Sequence, residues 1–92
     1  MLTSRQVFLI KHTIRSEISL LSQVFDKLDA KHSAYLREID EAEALHKDKA
    51  EIAILEEKAN AFYESVLKCN RHLMEMDATF EAFCKEYNIE KT

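Results

Sequence analysis

The most regular pattern in the sequence is found in residues 52–87, IAILEEKANAFYESVLKCNRHLMEMDATFEAFCKEY. Apolar residues recur along this stretch at alternating spacings of three and four, without one polar interruption. The positions of this seam are Ile52, Leu55, Ala59, Phe62, Val66, Cys69, Leu73, Met76, Phe80, Phe83 and Tyr87. Such a heptad repeat is typical of a helix that packs along one side in a coiled coil or a bundle.

A second apolar seam runs through the N-terminal half, from residue 7 to about residue 46. One heptad position holds Val7, Ile14, Leu21, Leu28, Tyr35 and Ala42, and the other holds Ile18, Phe25 and Ile39 with interruptions at Lys11, His32 and His46. Thr3, followed three residues later by Gln6, matches a capping box at a helix start. We therefore predict one helix over residues 3–46.

The two seams are out of register with each other, which predicts a turn at about residues 46–49. Asp48 followed by Glu51 repeats the N-terminal capping pattern there. A second helix is then expected over residues 49–88, with Asn88 in place of the usual terminal glycine. One continuous helix with a heptad discontinuity is the alternative. A break near residues 29–33 would instead give three helices.

The charge distribution favours the hairpin. Residues 1–15 contain three Lys or Arg and no acid, whereas residues 75–92 contain five acids and two Lys. A turn near residue 47 places these two segments side by side. Surface ion pairs contribute less than about 1 kcal/mol each, so they bias the orientation and do not create the fold. The prediction is an all-α single domain over residues 1–92, an antiparallel coiled-coil hairpin.

Composition excludes several classes of protein. The chain has no glycine and no proline, so it lacks the usual residues of tight turns and phosphate-binding loops. A net charge of −4 argues against a general nucleic-acid binder. No apolar run is long enough for a membrane span. Cys69 and Cys84 are too far apart on one helix to form a disulfide, and free thiols indicate the cytoplasm.

The sequence carries more apolar surface than one seam can bury. A wide apolar arc is the pattern of a helix with neighbours on two sides. The simplest solution is a homodimer of hairpins that forms a four-helix bundle, and the alternative is a hairpin docked on a different protein. The apolar residues left over after the seams are packed are the interface candidates: Phe8, Leu20, Val24, Tyr63, Leu67 and Met74.

Polar residues within and beside the seams are candidates for functional sites. His32 and His46 occupy seam positions, so we expect them to fix the register of the bundle, with His32 opposite Tyr63 and Glu64. Glu43 and His46 form a single Glu-x-x-His pair, which is too few ligands for a di-metal carboxylate site. Neither cysteine has a histidine placed as a general base. We therefore expect no metal, no cofactor and no catalytic residues.

The predicted function is a non-enzymatic protein–protein interaction module: an adaptor, an assembly factor or an inhibitor. One alternative is a subunit or chaperone-like partner of a larger helical or secretion assembly. Another is a small RNA-binding four-helix bundle that uses the basic residues Arg5, Lys11, His12 and Arg15. No motif of a known family is present in the sequence.

Overall fold

A computed structural model describes residues 1–91 and consists there of two long helices without strands. Helix α1 spans Ser4–Ala44 and helix α2 spans Lys49–Glu86. The helices fold back on each other as an antiparallel hairpin with principal-axis extents of 65 × 14 × 14 Å. The predicted all-α hairpin is confirmed. The continuous helix and the version with a break near residues 29–33 are both wrong.

Both helices begin at side-chain caps that the sequence predicts. Thr3 Oγ1 accepts a hydrogen bond from the Gln6 N–H at 3.1 Å, and Gln6 Oε1 accepts one from the Thr3 N–H at 2.8 Å. At the start of α2, Asp48 Oδ1 accepts a hydrogen bond from the Ala50 N–H at 3.4 Å. These bonds satisfy donors that have no partner within the first helical turn.

Helix α1 ends two residues earlier than expected, because His46 takes a left-handed conformation with φ of 52°. The N–H of His46 donates to the carbonyl of Glu43, and that of Lys47 donates to the carbonyl of Ala42. This pair of bonds is a Schellman motif. Asn88 takes the same left-handed conformation after the end of α2, with φ of 54°. In a chain without glycine, a histidine and an asparagine serve as its helix terminators.

The core is the line along which the two seams meet. All eleven predicted seam positions of α2 are buried or half-buried. The residues exposed by less than a tenth are Ile39, Ala42, Ala59, Val66, Cys69, Phe80 and Cys84. Aromatic residues pack across the seam, as Tyr35 and Phe62 do with ring centroids 5.5 Å apart. The core is therefore one layer thick, with solvent on both sides.

Neither helix could serve as a membrane span. Within residues 1–91, no stretch of helix combines the required length with sufficient hydropathy and few enough charges to cross a bilayer.

Candidate protein-binding faces

All six interface candidates from the sequence are exposed in the hairpin. Their side chains range from 44% exposed for Leu67 to 66% for Phe8. Seven other large apolar residues are exposed as well: Met1, Leu2, Leu9, Ile10, Leu36, Leu45 and Ile54. Single exposed apolar residues are ordinary on protein surfaces, so their arrangement decides whether they form a binding surface.

Heptad geometry divides these apolar residues between the two opposite sides of the hairpin. Side chains just before and just after the seam positions lie on opposite flanks of a helix. One side, the tyrosine face, carries Phe8, Leu36, Tyr63, Leu67 and Met74. The other side, the valine face, carries Ile10, Leu20, Val24, Leu45 and Ile54. The six candidates therefore belong to two surfaces, four to the tyrosine face and two to the valine face.

Contacts between side chains extend along the tyrosine face. Phe8 stacks on His12, with ring centroids 6.5 Å apart and planes 11° from parallel. Leu36 lines a shallow groove with Glu56 and Asn60 of the other helix. The Asn70 amide contacts the Met74 sulfur at 3.9 Å. The tyrosine face therefore carries polar and apolar groups side by side.

The valine face has an apolar groove near the middle of the hairpin. Leu20 and Val24 of α1 line it together with His72 and Met76 of α2, and Glu17 lies at its edge. Farther toward the turn, the Lys31 ammonium lies over the Phe62 ring, 5.7 Å from the centroid, in a cation–π contact.

A second apolar patch lies on the valine face beside the turn. Leu45 and Ile54, which are 69% and 54% exposed, line one depression with Leu55. Leu45 and Ile54 are not among the interface candidates predicted from the sequence. The signal that could have found them is their heptad position, because both stand on the flank that carries Leu20 and Val24.

His32 lies where the sequence predicts. Its side chain is half-buried in the α1 seam, and its ring lies 5.4 Å from the Tyr63 ring. His32 thus connects the seam to the tyrosine face, and its role in setting the register stays a prediction.

His46 does not occupy a seam position, so its expected role there is wrong. It follows the end of α1 and is exposed. The reason is the Schellman motif, which ends the helix at Ala44 and leaves His46 in the exposed turn.

The two cysteines are free and buried. Cys69 lies in the seam as predicted, and its thiol donates to the Leu21 carbonyl at 3.6 Å. Cys84 follows the seam residue Phe83 and would be partly exposed at the edge of a two-helix seam, but it is only 3% exposed. The terminating turn after α2 explains the difference, because the Ile89 N–H donates to the Cys84 carbonyl and the following residues fold over the thiol.

The end of the hairpin that carries both termini, the open end, combines segments of opposite charge. The hairpin brings residues 1–15 next to residues 75–91. Within the C-terminal segment, Lys91 pairs with Glu81 at 3.4 Å, and both side chains are more than half exposed. A pair this exposed contributes little to stability.

The described part of the chain holds no cluster of three or more His, Cys, Asp or Glu side chains arranged for a metal ion. Glu43 and His46 are both exposed, Glu43 on α1 and His46 beyond its end. The surface features of the described residues are therefore apolar faces and the charges that border them.

Comparisons with protein-family models, with curated proteins and with solved structures find no match for this chain.

Proposed function

We propose that the protein is a non-enzymatic protein–protein interaction module that binds through the apolar faces of its helical hairpin. It would act as an adaptor, an assembly factor or an inhibitor that covers a surface of its partner. A four-helix bundle, built from two copies or from one copy and a helical partner, is the assembly that such a hairpin suits.

The observation that carries the proposal is the amount of surface that the chain exposes. Its accessible area is 7252 Å². A compact monomer of 10.8 kDa exposes about 5,500 Å² by the usual scaling of area with mass. The excess, about 1,700 Å², is larger than the roughly 800 Å² that one partner buries in a stable complex. The hairpin therefore has surface to bury against another molecule.

The thin core supports the same proposal. No described side chain is less than 2% exposed, so none is shielded as fully as in the middle of an ordinary domain. The radius of gyration is 19.8 Å, whereas a compact chain of 92 residues has about 12 Å. A single layer of packed side chains gives small stabilisation to a chain of this size. Binding a partner adds stability by mass action.

A role as a subunit of a larger helical assembly is the second candidate. It is favoured by the presence of apolar residues on opposite sides of the hairpin. A complex that covers the tyrosine face leaves the groove between Val24 and Met76 open. A hairpin between two neighbours in an assembly would cover both surfaces.

We also place the protein in a reducing compartment such as the cytoplasm. The support is that Cys69 and Cys84 are both free thiols. Cysteines that stay unpaired are usual where glutathione and thioredoxin keep thiols reduced.

Photo-crosslinking in the cells that produce the protein tests the proposal. A photoreactive amino acid replaces Tyr63 in one variant and Val24 in a second. The control variant carries the same group at Arg37, which is exposed on the outer side of α1, away from both faces. We expect protein adducts from Tyr63, from Val24 or from both, and none from Arg37.

Two results would contradict the proposal. Equal adducts at all three positions would show contacts without a preferred face. Adducts with RNA in place of protein would support the RNA-binding alternative. The mass of a protein adduct also separates self-association from binding to a larger protein.

A further inference from the structure

We propose that the tyrosine face binds the same face of a second copy, with the two hairpins antiparallel. The turn end of one hairpin, residues 40–56, then lies on the open end of the other. The two-fold axis runs across the hairpin beside Ser22 and Asn70. This inference rests on the proposed function and adds to it the partner, the face and the orientation.

A contact within the hairpin shows which residues lie level with each other at the proposed axis. The thiol of Cys69 reaches the carbonyl of Leu21 at 3.6 Å, so these two residues lie at the same height along the hairpin. The next residues along each helix, Ser22 and Asn70, are both next to the seam on the tyrosine face. A two-fold axis at this height places each of them opposite its own copy. Both side chains are small and polar, so neither a charge nor a bulky group meets itself there.

Charges on α1 are complementary about Ser22. Arg15 precedes Ser22 by seven residues and Asp29 follows it by seven, so all three share one heptad position. The axis therefore places Arg15 of one copy opposite Asp29 of the other, twice per dimer. Arg5 and Asp40 lie in the neighbouring heptad position at nearly equal distances from the axis. Their opposite charges also face each other.

Apolar residues of the face, apart from Tyr63, obey the same symmetry; Tyr63 lies opposite Asp77, to whose carboxylate its phenol can donate a hydrogen bond. Phe8 precedes Ser22 by fourteen residues and Leu36 follows it by fourteen, so they meet across the interface. On α2, Leu67 and Met74 precede and follow Asn70 by three and four residues, so they also meet. All four are exposed in the single hairpin, by 66%, 45%, 44% and 65% respectively. The dimer would bury them against one another.

In the parallel arrangement of the same faces the charges also match in part, because Arg15 would face Asp77, but two apolar residues fit worse. There α1 of one copy would lie over α2 of the other at the same height. Leu36 would then face Glu56, which lies across the same groove from it, and Leu67 would face an aspartate of α1. Both apolar groups would be buried against carboxylates, which carries a desolvation cost.

The available area is sufficient for a stable dimer. The hairpin measures 65 Å by 14 Å along and across this face, a projected area of about 900 Å². A stable interface needs about 800 Å² from each partner.

Charge exchange between Arg15 and Asp29 tests the proposal with purified, reduced protein. Arg15→Asp and Asp29→Arg each turn two attractive pairs into repulsive ones, so we expect each to weaken dimerisation at least about tenfold by sedimentation equilibrium. The double variant restores the pairs, so its dimerisation returns to near the wild-type value. An equimolar mixture of the two single variants forms a heterodimer. Both side chains are exposed, and circular dichroism verifies that each variant keeps its helices.

The matched control exchanges charges on the opposite face. Lys31→Glu with Glu38→Lys alters two groups of the valine face and leaves dimerisation unchanged. A double Arg15/Asp29 variant that stays as weak as the single variants would overturn the antiparallel orientation. A wild-type chain that remains monomeric up to about 100 μM would show that the partner of the tyrosine face is not a second copy. Photo-adducts with a different protein at Tyr63 would in that case still support the proposed function.

Discussion

The imidazole ring of His32 and the phenol ring of Tyr63 lie 5.4 Å apart, with 37° between their planes. His32 belongs to the α1 seam and is half-buried, whereas Tyr63 is 48% exposed on the tyrosine face. This contact links the line that holds the hairpin together to the surface that we propose for binding. The effect of a substitution at either residue can therefore be measured on the stability of the hairpin and on its association.

Replacing His32 by leucine should stabilise the hairpin and make the register between its two helices less specific. A polar residue at a seam position fixes register at a cost in stability, and an apolar side chain there adds burial. We expect His32→Leu to raise the free energy of unfolding by about 1 kcal/mol, measured by urea titration of the helical signal. Additional amide resonances in NMR spectra would report alternative pairings.

Tyr63→Phe is the control for this change, because it keeps the ring contact with His32 and should leave stability within about 0.5 kcal/mol. A loss of stability in His32→Leu would mean that the contact between the rings outweighs the cost of the polar group. The proposed role of His32 in register would then be wrong.

Truncation within the seam should be costly despite the thin core. Phe80 is 8% exposed, so Phe80→Ala removes a buried ring and leaves a cavity between the helices. We expect a loss of about 3 kcal/mol in the free energy of unfolding. Leu9→Ala is the control, since Leu9 is 52% exposed on the outer side of α1, and should change stability by less than about 0.5 kcal/mol. Equal effects would show that the seam is not the core.

The ends of both helices offer a further test, because His46 and Asn88 have positive φ values without being glycine. Left-handed backbone costs a residue with a Cβ about 1 kcal/mol or more, and asparagine tolerates it better than histidine. We expect His46→Gly to raise the unfolding free energy by about 1 kcal/mol and Asn88→Gly by less. His46→Val should lower it, since β-branched residues resist this conformation. An unstable His46→Gly variant would contradict the observed turn.

Much of this architecture could be predicted from the sequence, for identifiable physical reasons. Heptad spacing specifies which side of each helix is buried, and the caps at Thr3 and Asp48 specify where each helix starts. The burial of Cys84 could not be predicted, because it depends on how residues after the helix fold back over it. The end of α1 was misplaced for a related reason: histidine is an uncommon choice for a left-handed terminator.

The division of the six interface candidates between two faces also needed the structure. Leu20 and Tyr63 both belong to the apolar residues outside the seams, and the seam pattern alone does not separate them. The antiparallel packing of the helices decides which flank of α1 shares a surface with which flank of α2. That relation depends on the hairpin itself, which the sequence favours over a continuous helix through the register change, the cap at Asp48 and the charge distribution.

Removal of the C-terminal residues should expose one cysteine and leave the other buried. Cys84 is covered by the turn that follows α2, where its thiol donates to the Glu90 carbonyl at 4.0 Å, whereas Cys69 is buried by α1. In the full chain we expect both thiols to react slowly with iodoacetamide, since burial limits access. In a variant that ends at Asn88, the labelling rate of Cys84 should rise at least about tenfold. Peptide mass spectrometry assigns the label to each cysteine.

The control in the shortened variant is Cys69, whose rate should stay at its full-length value. A parallel rise at both cysteines would mean that the hairpin as a whole has opened, in which case the loss of residues 89–92 destabilises the fold. An unchanged rate at Cys84 would mean that the helices alone bury it. Only a selective rise agrees with a C-terminal turn that covers Cys84 locally, because local opening requires less free energy than unfolding of the whole hairpin.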